Sequence, residues 1–218
     1  MKVELRVHQA QKAFLDSQAP IREFVGGRGS GKTWIGALDI LLRAQPNRLY
    51  GIYAPTYTML RDATLRMLVD LGEQLHFITQ VNRSEMVVRL GNGAEIVCRS
   101  TDDPERLRGL NLSGAWLDEA SVMQHDAYVI VLASLRERGE MGWLSATFTP
   151  KGKKHWTYQV FGNGQDGVAL FHSRTADNPF LPPAFAELVG SQYPSQYAQQ
   201  ELEGLFIDPQ GAVFKREW

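Results

Sequence analysis

The chain has 218 residues, 44% hydrophobic and 22% charged, with a formal net charge of −1. That is the profile of an ordinary globular protein with room for one full α/β domain, or one domain and a small appendage. No global basic field advertises nucleic-acid binding, so any such contact must come from local patches or a ring of subunits.

No apolar run approaches the roughly 20 residues that span a bilayer, and the N-terminus lacks a signal-peptide pattern. The single cysteine, Cys98, rules out an intramolecular disulfide, suits a reducing compartment and reads as a small buried strand residue. In chain order, Val7 to Leu15 is a short segment carrying Gln9 and Gln11. A glutamine amide can both donate to and accept from an adenine edge, and it can equally sit solvated on a helix surface.

The apolar run Ile21 to Val25 then leads into Gly26-Gly27-Arg28-Gly29-Ser30-Gly31-Lys32-Thr33. This matches G-x-x-x-x-G-K-[ST], the phosphate-cradling loop, at every fixed position. Glycines let the backbone turn tightly and offer several N–H groups to phosphate oxygens. The helix expected over Thr33 to Arg43 adds its positive N-terminal end. Lys32 is placed to reach the β- and γ-phosphates, and the Thr33 hydroxyl to hold Mg²⁺. The stretch predicts a nucleoside-triphosphate site.

Leu49 to Ala54 reads as a buried parallel strand closed by Pro55-Thr56, and Tyr57 to Leu75 as a helix. Met86 to Leu90 and Ala94 to Arg99 flank Gly91-Asn92-Gly93 and predict a β-hairpin. Thr101 to Asn111 is polar, holds Arg106 and Arg108, and reads as an exposed loop. Ser113 to Leu117 runs into Asp118-Glu119, the Walker B arrangement of a buried strand that delivers acids to a cleft. Gln124 to Arg138 predicts a helix, and Trp143 to Phe148 another buried strand that stops at Thr149-Pro150-Lys151-Gly152. Val168 to Ser173 suits a late strand, with helices over Ala184 to Val189 and Ser195 to Leu202.

Phosphoryl transfer spreads negative charge over equatorial oxygens, so its catalysis is positioning plus cationic stabilisation. Asp118 is expected to orient Mg²⁺, and Glu119 to align or deprotonate the attacking water. Either Arg28, inside the phosphate loop, acts in cis, or Arg108 reaches a neighbouring subunit's nucleotide in trans. Thr147 and Thr149 sit where a hydroxyl can sense the γ-phosphate. His155, Trp156 and Tyr158, behind a run of lysines, are either aromatic core or a nucleic-acid contact. The histidines lie at no metal-ligand spacing.

In this order the motifs resemble the N-terminal ATPase domain of the large terminase subunit of tailed bacteriophages. The phosphate loop with its internal arginine carries the resemblance, with Tyr53-Ala54-Pro55-Thr56, Leu107-Arg108-Gly109, Trp116-Leu117-Asp118-Glu119-Ala120 and Thr149-Pro150-Lys151-Gly152. The later segments Asn178-Pro179-Phe180-Leu181, Gln200 to Phe206 and Gly211-Ala212-Val213-Phe214 extend it. The resemblance implies an α/β fold of the RecA-like P-loop NTPase class with an additional strand and catalytic glutamate. Its central sheet would be mainly parallel and flanked by helices, with a small C-terminal helical lid.

Residues 1–205 would form the ATPase domain, including a lid over about 175–205, and 206–218 the start of a linker. The implied activity is hydrolysis of ATP with Mg²⁺, driving double-stranded DNA through a portal protein into a procapsid. The implied partners include the small terminase subunit and further copies in a homo-oligomeric ring, with the isolated domain monomeric. The place of action is the host cytoplasm at the portal vertex, away from any membrane. Arg108 resembles the trans-acting finger, Thr147-Phe148-Thr149 the coupling motif and Gln9 the adenine-contacting glutamine, with Gln11 also open. The family's full-length protein continues into a metal-dependent nuclease, and this chain stops where that would begin, so no DNA cleavage is expected of it. The alternatives are a helicase-like ATPase, disfavoured by the lack of a second RecA-like half, and a nucleotide-gated assembly module, which Glu119 argues against.

Overall fold

A computed structural model describes residues 4–162, 164–182 and 184–208. Eight strands form one sheet in the order β3-β4-β5-β2-β6-β7-β1-β8. The strands are β1 (Ile21–Gly26), β2 (Leu49–Ala54), β3 (Ile78–Asn82), β4 (Val87–Leu90), β5 (Glu95–Ser100), β6 (Gly114–Asp118), β7 (Trp143–Phe148) and β8 (Val168–Ser173). From β5 to β8 every neighbouring pair is parallel, while β3, β4 and β5 pair antiparallel. The sheet is therefore mainly parallel, as expected, with an antiparallel edge.

Helices α1 (Gln9–Asp16), α2 (Lys32–Arg43), α3 (Tyr57–Met59) and α4 (Leu65–Gln74) pack on one face. Helices α5 (His125–Ala133) and α6 (Trp156–Phe161) pack on the other. Two short helices, α7 (Phe185–Gly190) and α8 (Ser195–Glu201), follow. Strand β3 was not anticipated: its five residues, Ile-Thr-Gln-Val-Asn, are half polar and sit at the exposed sheet edge, where no apolar run is demanded. The helix expected to reach Arg138 ends at Ala133, and a 3-10 turn over Glu137–Gly139 takes up the remainder. Cys98 is buried in β5, where burial pushes its thiol up to about 12.

Register decides where the chemistry lies. Asp118 at the end of β6 is level with Thr147 of β7, and Phe148 beside it is level with Val25 at the end of β1. The chain thus leaves β1, β6 and β7 at one carboxyl edge, where parallel sheets bind ligands. Helix α2 is held close over that edge. Its Gly36 leaves room for the fully buried Trp116 of β6, since a Cβ there would come 2.3 Å from the indole. Beneath it, the fully buried Arg22 of β1 donates to Asp39 of α2 at 2.6 Å. Its guanidinium lies 5.3 Å from the Phe14 ring centroid and 5.1 Å from that of Trp143. Such a pair ties strand to helix on both sides of the phosphate loop, and removing one partner alone would leave a buried charge at a cost of about 3–5 kcal/mol.

Glu23, on the same strand, has among the described residues neither an ion-pair partner nor a hydrogen bond to either carboxyl oxygen; burial first, and Glu23 second, raise the phenol of Tyr128. Burial pushes its carboxyl up to about 9. Because the unfolded chain ionises near pH 4.3, the folded state holds the extra proton between those values. Stability from this group is fully present below about pH 4 and is lost as pH rises towards 9. Glu23→Gln should therefore raise the melting temperature at pH 8 by at least about 4 °C, with the gain shrinking towards pH 4.5. Thermal unfolding at the two pH values checks it, and an equal shift at both would show that Glu23 is not held neutral.

Candidate active site

Strand β1 ends in Gly26, and the loop turns through Gly29 (φ 79°) and Gly31 (φ 86°) before α2 starts at Lys32. Gly31 caps α2 in a left-handed conformation that a side chain would strain, and no side chain caps the helix. The first-turn N–H groups are thus left for an anion. Lys32 is buried, with its Nζ donating to the Gly27 carbonyl at 3.0 Å. Burial lowers its ammonium, against the attraction of Glu119, Asp118 and Glu201.

Asp118 lies opposite, 2% exposed. Its Oδ1 accepts from the Thr147 hydroxyl at 2.9 Å and from Thr33 at 3.3 Å. Its Oδ2 accepts from Thr64 at 2.8 Å. Burial first, and Glu119 second, push its carboxyl up to about 6, while Thr64, Thr147 and Lys32 pull the other way. Thr147 in turn accepts from the Trp116 indole at 2.9 Å. A left-handed residue (φ 54°), Glu119, follows. For a non-glycine that conformation costs about 1 kcal/mol or more, and here it turns the chain so that Glu119 lines the cleft.

The cleft, of about 620 Å³, brings together Arg28, Gly29, Gly31, Lys32, Thr33, Asp118, Glu119 and Thr149. Thr147 does not line it; its hydroxyl is committed to Asp118. Arg28 lines the cleft, and its guanidinium donates to the Tyr193 hydroxyl at 3.2 Å. Arg108 is exposed and forks onto Glu105 of its own loop at 2.7 and 3.0 Å, away from this chain's cleft. Thr33 and Asp118, two oxygen donors beside a buried lysine, suit a hard divalent cation that also binds phosphate oxygens.

A second cavity of about 550 Å³ adjoins the first across Gly31 and Trp34 and is lined by Gln11, Leu71, Gln74 and Phe180. The structure places the two candidate glutamines, Gln9 and Gln11, on different sides of α1. Gln9 is exposed and faces a separate groove with Ala13, Leu170 and His172, whereas Gln11 is buried against Gly31. Residues two apart on a helix face opposite ways, so α1 can turn only one of the two glutamines inward. Of the three aromatic residues, Trp156 packs against the core on the α5–α6 side of the sheet and donates from its indole to the Met123 carbonyl at 2.9 Å. Tyr158 lies 5.1 Å from Phe206.

Sequence reasoning missed the groups that brace the loop from the C-terminal side. Asn178 Nδ2 donates to the Gly29 carbonyl at 2.6 Å, and Thr175 Oγ1 to that of Arg28 at 2.7 Å. The Arg28 N–H donates to the Glu201 carbonyl at 2.5 Å. Glu201 and Gln200 line the cleft. The Asn-Pro pair at Asn178 was the one local signal, since asparagine before proline marks a turn whose side chain seeks backbone partners.

Residues 24–218 match the family described as "Terminase large subunit, T4likevirus-type, N-terminal". The chain belongs to this terminase family. It is 26% identical over 187 residues to the PBSX phage terminase large subunit of Bacillus subtilis (strain 168), covering 75% of this chain and 43% of that protein. It is 29% identical over 184 residues to the terminase large subunit of Thermus phage G20c, covering 73% and 37%. The chain therefore spans less than half the length of the curated relatives it matches. In fold it is similar to the large terminase of a thermophilic bacteriophage in complex with ADP, with a TM-score of 0.84 at 18% identity over 92% of this chain and 54% of that one. The Thermus phage P74-26 large terminase ATPase domain gives 0.75 at 23%, covering 93% of this chain and 94% of that one. At these identities the likeness establishes the fold: a RecA-like P-loop sheet with flanking helices. The tail that the sequence assigned to a linker lies outside the described residues from 209 onward, including Gly211-Ala212-Val213-Phe214.

Three substitutions test the geometry. Gln11→Ala should weaken binding of a fluorescent adenine nucleotide about 10-fold, while Gln9→Ala should change it by less than about 2-fold. Lys32→Ala should abolish it, and tight binding by that variant would contradict the loop's assignment.

Proposed function

We propose that this terminase domain hydrolyses ATP with Mg²⁺ as the motor that drives double-stranded DNA into a procapsid. One observation carries the reading: the Thr33 hydroxyl at the end of the phosphate loop lies 3.3 Å from the carboxylate of Asp118, 85 positions later in the chain, with Lys32 and Glu119 lining the same cleft. A relative of the same fold binds ADP, which supports the nucleotide assignment. The triphosphate would lie along the loop's N–H groups, with its base in the cavity beside Gln11 and Trp34. Thr33 and Asp118 would hold magnesium, which supplies charge neutralisation across the phosphate oxygens when bound.

The chain's own residues do the rest. Lys32 stabilises charge on the transferred phosphoryl group, and Glu119 takes the proton of the attacking water. Arg28 or Arg108 supplies the remaining positive charge. Arg108 is exposed and turned from its own cleft, which supports its use in trans by the next subunit of a ring. Residues 175–205 act as a lid: they hold the loop through Thr175, Asn178 and Glu201, so a change at the phosphates is passed to them directly. Thr149 at the cleft and Thr147 on Asp118 couple hydrolysis to that movement. Residues 1–205 would be the ATPase domain and 206–218 the start of a linker. The partners are DNA, the portal protein, the small terminase subunit and further copies of this chain, met in the host cytoplasm at the portal vertex. Among the described residues no helix is long and apolar enough to cross a membrane.

ATPase activity measured across protein concentration, with and without DNA, tests the reading. Specific activity should rise with concentration, since a lone subunit lacks its neighbour's arginine. Glu119→Gln should bind nucleotide normally and lose turnover by about 10²–10⁴-fold. Arg108→Ala should be nearly inactive alone, yet regain turnover when mixed with Glu119→Gln protein, whose Arg108 is intact. Absence of rescue would move the finger to Arg28.

A further inference from the structure

Between α3 and α4 the helix does not continue as an α-helix. Leu60–Thr64 forms a π-helical turn, closed by the Leu65 N–H donating to the Leu60 carbonyl. Such turns are rare, and they recur at functional sites. The residues explain what this one achieves. At 3.6 residues per turn, Leu60 and Leu65 would lie about 140° apart around the axis. Here Leu60, Thr64 and Leu65 are each 1% exposed, while Arg61, Asp62 and Ala63 between them face outward. The widened turn lets two consecutive residues face inward: Leu65 enters the core with Leu60 and Leu68, and Thr64 meets Asp118.

Asp118 needs that contact for a geometric reason. The terminal torsion of an aspartate is soft, so burial alone does not orient the carboxylate plane. Thr33 and Thr147 both approach Oδ1. Among the described residues Thr64 alone donates to Oδ2, at 2.8 Å. The Thr33–Thr147 pair fixes where one oxygen sits, and Thr64 fixes how the plane is turned about it.

We propose that Thr64 is a positioning residue for nucleotide-linked cation binding: delivered by the π-helical turn, its hydroxyl anchors Asp118 Oδ2 and so keeps Oδ1 facing the Thr33 end of the phosphate loop. The inference rests on the reading of Asp118 and Thr33 as the cation's holders. It differs from a structural role, in which Thr64 merely satisfies a buried carboxylate and its loss lowers stability alone.

The test is binding of a fluorescent ATP analogue to the whole chain, in EDTA and across a magnesium titration, for wild type, Thr64→Val and Thr64→Ser. Thr64→Val should leave affinity in EDTA within about 2-fold, because the loop and Gln11 are untouched. It should raise the magnesium concentration for half-maximal effect about 10-fold or more, as loss of a ligand-orienting hydrogen bond does elsewhere. Thr64→Ser, which keeps the hydroxyl, should restore the wild-type titration. A magnesium titration unchanged in Thr64→Val, even with a lowered melting temperature, would overturn the proposal, as would failure of serine to restore it. Should valine prevent folding, Thr64→Ala carries the same comparison. A wild-type chain that binds nucleotide without any response to magnesium would instead remove the assignment of Asp118 beneath it.

Discussion

A carboxylate is costly to bury next to another acid, and Asp118 is buried beside Glu119. What holds it there is a set of hydroxyls from three separate parts of the chain. Thr33 comes from the start of α2, Thr64 from the π-helical turn and Thr147 from the neighbouring strand. Each reaches Asp118 only if its own element is correctly placed, so this one group reports on most of the fold. The strand register, the close approach of α2 over Trp116 and the extra residue in the helix after β2 all have their consequence at these two oxygens.

The electrostatics of the cleft follow from the same crowding. Burial weakens both the ammonium of Lys32 and the ionisation of Asp118, and each supports the charge of the other. Burial lowers the local dielectric, so fixed charges there act more strongly on one another than they would in water. The left-handed Glu119 belongs with this picture, since local strain is held where the surroundings over-determine it. The second Walker acid is thereby turned into the cleft beside the first.

The phosphate loop is also gripped from behind. Its carbonyls at Arg28 and Gly29 accept from Thr175 and Asn178, and its Arg28 N–H donates to Glu201. Gly27 and Gly204 are close-packed here: a Cβ on Gly27 would come 2.2 Å from the Leu202 carbonyl oxygen. With so little slack, a shift of the loop must be matched by the C-terminal segment. That is a short mechanical path from the phosphate loop to the C-terminal segment.

Much of this was legible in the order of residues. The phosphate loop is defined by types at fixed spacing because backbone N–H groups, not distant side chains, make it. The strands β1, β2, β5, β6, β7 and β8 show as apolar runs because a parallel sheet is covered on its faces, and Asp118-Glu119 shows because acids end such a run abruptly. Edge strand β3, polar and half exposed, carries no such signal. Which glutamine turns inward depended on the helical phase of α1, which a nine-residue pattern with two candidates does not define. The partners of Thr64 and Asn178 were invisible for a different reason, although the Asn-Pro pair did mark a turn at Asn178. A threonine in a helix and an asparagine in a loop are ordinary in sequence, and only the packing of distant elements sets their polar atoms against Asp118 and Gly29. Local spacing determined the kind of chemistry this chain carries; tertiary structure alone decided what orients it, because hydrogen bonds across 54 or 149 positions leave no periodicity to read.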